Sequence, residues 1–237
     1  MEHHTREEQV PQGLILAEEI RNRIIAGYYK SGERLVELDI ANEFNVSRTV
    51  VRESLKILEK DGFLESEIYK GVRVKKFTFE EIREYYEIRI ALECLCISLV
   101  VDKKDKNLKN YLQKNIALSK KALEETDFST LVPLGNEFHK ILHISSGNKK
   151  LEGMLNNLRT ISSIMRPPIW AIVPDRARST IEEHEKITEA VIIDKKTLAI
   201  KRMRCHIINS YKSVEKYLQE LYFAENREKL SGILKKM

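Results

Sequence analysis

Apolar residues at Leu14, Leu16, Ala17, Ile20, Ile24 and Ile25 recur at helical spacing and predict a first helix from Gln12 to about Ala26. The stretch GYYKSGER should end it, with Gly27 as cap and Gly32 as a turn residue. A short second helix is expected over Glu37–Phe44. Ser47 is placed to cap a third helix, with Val46 and Val51 as the hydrophobic staple across its start. Within that helix Val51, Leu55 and Leu58 continue an inward stripe, while Arg48, Arg52 and Lys56 stand one turn apart on another face. Asp61-Gly62 should stop the helix, and FLES and GVRVKKF, joined by EIYK and Gly71, predict a two-stranded hairpin.

After this hairpin the pattern changes. Thr78 is an N-cap with Glu81 three residues on, and from there to the C-terminus every period is helical. Helices are expected over roughly 78–101, 105–125, 128–145, 148–166, 175–193 and 195–222, followed by a charged tail helix. The breaks fall at DKKDKN, SSGN and RPPIWAIVPD. The fold class is therefore mainly α: an N-terminal winged helix-turn-helix over residues 1–76 and an all-helical bundle over 77–237.

Composition narrows the class without naming it. The 237 residues are enough for two small domains, and 42% hydrophobic with 32% charged residues is ordinary for a helix-rich globular chain. No run of 18 apolar residues occurs and the first residues, MEHHTREEQV, are polar, so neither a membrane partner nor a secretory signal is expected, and the location should be cytoplasmic. Cys94, Cys96 and Cys205 lack metal-type spacing and fit free thiols in a reducing compartment. The net charge of +5 is a weak pointer to polyanions, since residues 1–76 hold 13 Lys/Arg against 14 Asp/Glu. From Val46 to Lys76, however, there are eight Lys/Arg and five Asp/Glu, so positive charge gathers on the third helix and the hairpin.

Helix, short helix, Ser-capped helix and hairpin in this order form a winged helix-turn-helix, in which the third helix enters the major groove of DNA. Side chains and free amides at that helix start can meet phosphates or base edges, and Arg is suited to a bidentate contact with guanine. A solvated amphipathic helix beside a hairpin that merely packs would explain the charge spacing alone, but not the order of elements with cap and wing. The stretch LVELDIANEFNVSRTVVRESLKILEKDGFLE…KGVRV resembles the DNA-binding domain of the GntR family of bacterial transcription regulators. The resemblance covers residues 12–76 and implies operator contacts by Ser47, Arg48, Thr49 and Arg52, with Lys70 and Gly71 at the wing tip. Val50 stands where the family commonly has Pro, and Leu38 where some members carry an operator-contacting Arg; Arg34 is near that position but not at it.

Three histidines stand among apolar residues on three separate helices: His139 in EFHKILHISSGN, His184 in EEHEKITEAV and His206 in RMRCHIINS. Side chains so placed can converge on a bundle interior, where imidazoles suit Zn, Ni, Fe or Cu. Each taken alone is better explained as a hydrogen-bonded packing residue, and no HExxH or CxxC spacing tips the balance toward a metal. Residues 78–222 resemble the FCD-type effector domain of the FadR-like GntR branch, on YEIRIALE, EFHKIL…SGN and EEHEKITEAVIIDKKTLAIKRMRCHI. That resemblance implies a divalent transition metal, Zn or Ni foremost, on His139, His184 and His206 beside a small carboxylate effector. The carboxylate ligand it also implies, one turn before His139, is Gly135 here. Asn136 is the neighbouring polar candidate, His143 makes HxxxH with His139, and Arg89 matches a basic position facing the effector. Arg159, Arg166 and Arg178 are further candidates for a carboxylate, or for surface salt bridges.

The expectation is a homodimeric DNA-binding regulator, a repressor rather than an activator, that binds operator DNA and is modulated by metal and a small acid. It is not expected to be an enzyme: three His could activate water, but no carboxylate stands at an obvious general-base spacing. A metal-free regulator that binds an acyl-CoA-type effector is the other alternative.

Overall fold

The computed structural model of the chain describes residues 10–67, 71–165 and 174–234; for Glu67, residues 159–165, Pro174 and residues 221–234 it describes the backbone alone. The described elements are α1 (Gln12–Ile25), β1 (Arg34–Leu35), α2 (Glu37–Phe44), α3 (Arg48–Lys60), β2 (Leu64–Glu67), β3 (Gly71–Val74), α4 (Phe79–Lys103), α5 (Leu108–Glu124), α6 (Phe128–Ser145), α7 (Lys149–Met165), α8 (Pro174–Ile192) and α9 (Lys196–Leu234). The structure is mainly helical, as the periodicity requires, with one small sheet. Two compact units divide the chain: the first runs to Phe77 and also takes in the stretch of α7 from Thr160, and the second starts at Thr78.

In the first unit, α1 ends where Gly27 enters the left-handed region at φ 78°. The Gly27 amide donates to Ile24 O and the Tyr28 amide to Arg23 O, closing a Schellman turn. The same pair of bonds recurs at the end of α3, where Gly62 (φ 79°) donates to Glu59 O and Phe63 to Leu58 O. That second turn delivers Phe63 into the core against Leu58, both fully buried, each worth about 1.5–3 kcal/mol of apolar burial. Between α2 and α3, Asn45 takes φ 51° and the Val46 amide returns to Ala41 O, so the two helices turn tightly into each other.

Val46 and Val51 lie in one core cluster with Leu16, Ile20, Ile40, Leu55 and Leu58, which holds α3 by its apolar stripe. Ser54, fully buried, donates to Gly13 O at 2.9 Å and tethers α1 to α3. The hairpin β2–β3 forms in the expected place, with Leu64 opposite Val74 and Glu67 opposite Gly71. A third strand not expected from the pattern, β1, adds to the other edge of β3 with Arg34 opposite Arg73 and Leu35 opposite Val72, giving the order β1-β3-β2. Two residues are too few to carry a period-two signal.

The second unit opens on the Thr78 capping box, in which the Glu81 amide and the Thr78 amide each find the other residue's side chain. Helix α4 packs on α9, α5 on α6 and α8, and α8 on α9. Tyr86, Ile97, Leu112, Phe138, Leu142, Ile187 and Met203 are fully buried among them. The helix expected over 195–222 and its separate tail form one helix, Lys196–Leu234. The stretch FAENREKL holds no Gly or Pro to end it.

Candidate nucleic-acid interface and metal centre

Ser47 caps α3 as expected: its backbone is extended, and its hydroxyl accepts from the Val50 amide at 3.4 Å. Ser47, Arg48, Thr49, Arg52 and Lys56 are all exposed, so the charged face of α3 is open while its opposite stripe is buried. The side chains of Arg48 and Arg52 are 57% and 58% exposed, yet both end on one carboxylate. Arg52 Nε donates to both oxygens of Glu37 at 2.9 Å, and Arg48 Nη2 donates to Oε2 at 3.0 Å. These contacts, Arg52 first, hold the Glu37 carboxyl below its usual range.

Lys70 lies outside the described residues. Gly71 is exposed at φ 85°, and a Cβ added there would stand 3.5 Å from Arg34 Nε. Arg34 on β1 therefore lies over the backbone of the wing, a position that sequence spacing from the second helix did not reveal. Leu38, on α2, is 53% exposed.

In the second unit the three matched histidines do converge. His139 on α6, His184 on α8 and His206 on α9 are all buried, and one ring nitrogen of each lies within 4.8 Å of the others. His139 Nε2 and His206 Nε2 face each other at 3.2 Å. His206 Nδ1 meets Glu183 Oε2 at 2.7 Å, and Glu183 is in turn held by Arg176 at 2.9 and 3.0 Å and by Asn209 at 2.8 Å. His139 Nδ1 faces Glu93 Oε1 at 3.2 Å, close enough for a charge contact though off the line of a good hydrogen bond. The ring of His184 stacks on Phe138 with centroids 3.8 Å apart, and its buried Nε2 has no hydrogen-bond partner among the described residues.

These contacts assign the tautomers. A carboxylate opposite Nδ1 places the proton there on both His139 and His206, because the other tautomer would set a lone pair against a negative charge. Burial lowers the pKa of all three rings, His139 to about 3, His184 well below its usual range and His206 in the same direction, the pull of Glu93 and Glu183 notwithstanding. Two neutral rings with Nδ1–H then aim lone pairs at each other across 3.2 Å, beside a third unpartnered ring nitrogen. That donor set is short of a cation, and His206 carries the hydrogen-bonded carboxylate support that metal-ligating histidines have, while His139 has the Glu93 carboxylate close to its Nδ1. The residues present therefore fit a divalent metal that takes imidazole nitrogen.

Around this cluster, Glu93 on α4 also meets His143 Nε2 at 3.2 Å and stands 3.7 Å from Arg89 Nε. Burial works to raise the Glu93 carboxyl, but His139 and His143 outweigh it and leave it well below its usual range. His143 thus serves Glu93 rather than the three-His set. Arg89 is 5% exposed, passes 5.8 Å from the Tyr86 ring centroid and keeps a buried Nη1 without a hydrogen-bond partner among the described residues. Gly135 is buried on α6 and Asn136 beside it half-buried. Arg166 and the side chain of Arg159 fall outside what is described, and Arg178 is exposed. Sequence reasoning missed Glu93, Glu183 and Arg176. Glu93 stands four residues after Arg89 and Glu183 directly before His184, but nothing in one-dimensional spacing tells a buried carboxylate from an exposed one.

Two family models cover most of the chain. Residues 14–74 match the bacterial regulatory proteins of the gntR family and residues 84–209 match the FCD domain. An uncharacterized HTH-type transcriptional regulator of Bacillus subtilis, YdhC, is 30% identical over 89% of this chain and 94% of its own length. The gluconate operon transcriptional repressor of the same organism is 26% identical over 90% of this chain and 87% of its own. Among solved structures, the Escherichia coli protein McbR/YncC shares the fold with a TM-score of 0.75 at 19% identity, over 89% of this chain and 100% of that one. The relatives are named as transcriptional regulators, not enzymes. The chain belongs to the GntR family of bacterial transcription regulators and joins that family's DNA-binding domain to an FCD domain.

Proposed function

We propose that this regulator is a homodimeric, cytoplasmic repressor whose residues 1–76 read operator DNA and whose residues 77–237 bind a divalent metal, Zn or Ni, together with a small carboxylate effector. The DNA part rests on the open face of α3, with Arg48, Thr49 and Arg52 at its amino end and Ser47 holding the cap. A dimer brings two such helices to the two halves of a palindromic site. Repression is the role named for the gluconate operon relative.

The single observation that carries the sensing part is the facing pair of Nε2 atoms, 3.2 Å apart, on rings whose Nδ1 atoms look onto Glu93 and Glu183. A metal held by His139, His184 and His206 supplies a Lewis-acidic point for a carboxylate oxygen. Three neutral ligands leave its charge uncompensated, because Glu93 and Glu183 are already matched by Arg89 and Arg176. An anion is then the natural second guest, and the buried, unpartnered Nη1 of Arg89 is a donor for it. Asn136 lies on the same helix as His139, one turn ahead, and is assigned to the same guest.

The test is metal content per chain of untagged protein in which His3 and His4 are replaced by Ala, beside the same protein carrying His184→Ala. About one metal per chain, lost in the variant, supports the three-His site. No metal in either protein after reloading would mean that the histidines only pack, and would turn attention to a metal-free effector.

A further inference from the structure

Glu37 is not among the DNA-facing residues assigned above, yet both leading arginines of α3 end on it. Its place in the chain is fixed: it is the first residue of α2, in an acidic first turn with Asp39, where the helix favours negative charge. Its carboxylate takes the Nε side of Arg52 through both oxygens and one terminal nitrogen of Arg48. It leaves the Nη pair of Arg52, the end-on fork that makes a bidentate contact with guanine. An isolated exposed ion pair contributes little to stability, so stability is a poor reason for one carboxylate to collect two exposed arginines.

We propose that Glu37 is a specificity-determining positioning residue. It holds Arg48 and Arg52 in one fixed orientation at the start of α3 and cancels part of their charge, so that base edges rather than phosphates decide binding. This rests on α3 being the recognition helix. The physical trade is between two kinds of contact. Free arginines find phosphates on any sequence, and that sequence-independent attraction raises affinity everywhere. Arginines tethered at one edge give up some of that attraction and keep a defined fork for a defined base.

The experiment uses the full chain and a duplex selected from a random library by the wild-type protein. Dissociation constants are measured on that duplex and on a random-sequence duplex at one salt concentration, for wild type, Glu37→Gln and Glu37→Asp. The Asp variant keeps the acidic start of α2 but draws the carboxylate back by one methylene, which guards against a mere loss of helix start. In both variants the ratio of the two constants should fall on the order of tenfold, the scale of one lost bidentate base contact. Binding to the random duplex should stay equal or tighten. In an Arg52→Ala background Glu37→Gln should change the ratio by clearly less than it does in the wild type, because one of the two arginines through which it acts is gone.

An unchanged ratio in both variants overturns the proposal, as does a parallel loss on both duplexes or an equal gain on both, the last being the mark of a simple electrostatic brake. An effect of Glu37→Gln that persists in full without Arg52 overturns it too. If Arg48→Ala and Arg52→Ala themselves leave discrimination intact, it is the recognition-helix assignment that fails, and the two failures are told apart.

Discussion

At the scale of single residues the proposed metal centre turns on which ring nitrogen carries the proton, and on the carboxylates beside those nitrogens. Glu183 accepts from His206 Nδ1 at 2.7 Å and is itself clamped by Arg176 and Asn209, with its carboxyl held down to about 2, burial notwithstanding. Replacing Glu183 by Gln offers the ring an amide that can donate as well as accept, and frees it to adopt the tautomer whose Nε2 bears a proton and cannot ligate. Metal affinity of Glu183→Gln, read by competition with a chromogenic chelator, should fall ~10–100-fold with the fold intact by circular dichroism. An unchanged affinity would show that His206 does not ligate through Nε2. The three histidines were legible because each interrupts an apolar stripe on its own helix. Their supporting carboxylates were not, since Glu93 and Glu183 look like any other acid on a helix until neighbouring helices bury them.

Among elements, the helix ends were the most legible part of the fold. Thr78, Ser47, Gly27 and Gly62 all do what their side chains, or the lack of one, permit. Helix α6, Phe128–Ser145, has the bounds its periodicity requires and starts on Asp127, whose carboxylate accepts from the Thr130 amide at 3.1 Å and the Ser129 hydroxyl at 2.6 Å. These bonds, the hydroxyl first, pull the Asp127 carboxyl down to about 2. A carboxyl depressed on folding stabilises above its unfolded value of about 4 and loses that contribution as the pH falls through about 2. Asp127→Asn keeps an acceptor and removes the charge. The Tm gap between wild type and Asp127→Asn should therefore narrow as pH is lowered from 5 toward 2, and a constant gap would show that the charge plays no part in the cap. Less legible were β1, which exists because β3 offers it an edge, and the length of α9, where a change in composition suggested a boundary but no residue breaks the helix.

For the whole molecule, the central claim is that one unit reads DNA while the other holds a metal-dependent sensor, and that the two are energetically coupled. Coupling requires that the guest prefer one arrangement of the regulator over another by a definite free energy, whatever path carries it. A coupling of 1–3 kcal/mol corresponds to about a 5–150-fold change in operator affinity. Among the described residues no helix is long and apolar enough to cross a membrane. The most direct measurement is the affinity of the full-length protein for its selected operator duplex, metal-loaded and metal-stripped, for wild type and His206→Ala. Wild type should shift at least about fivefold between the two states, while His206→Ala should not shift. Identical affinities of loaded and stripped wild type, with metal bound at one per chain, would contradict the account and leave the metal a structural part of the bundle.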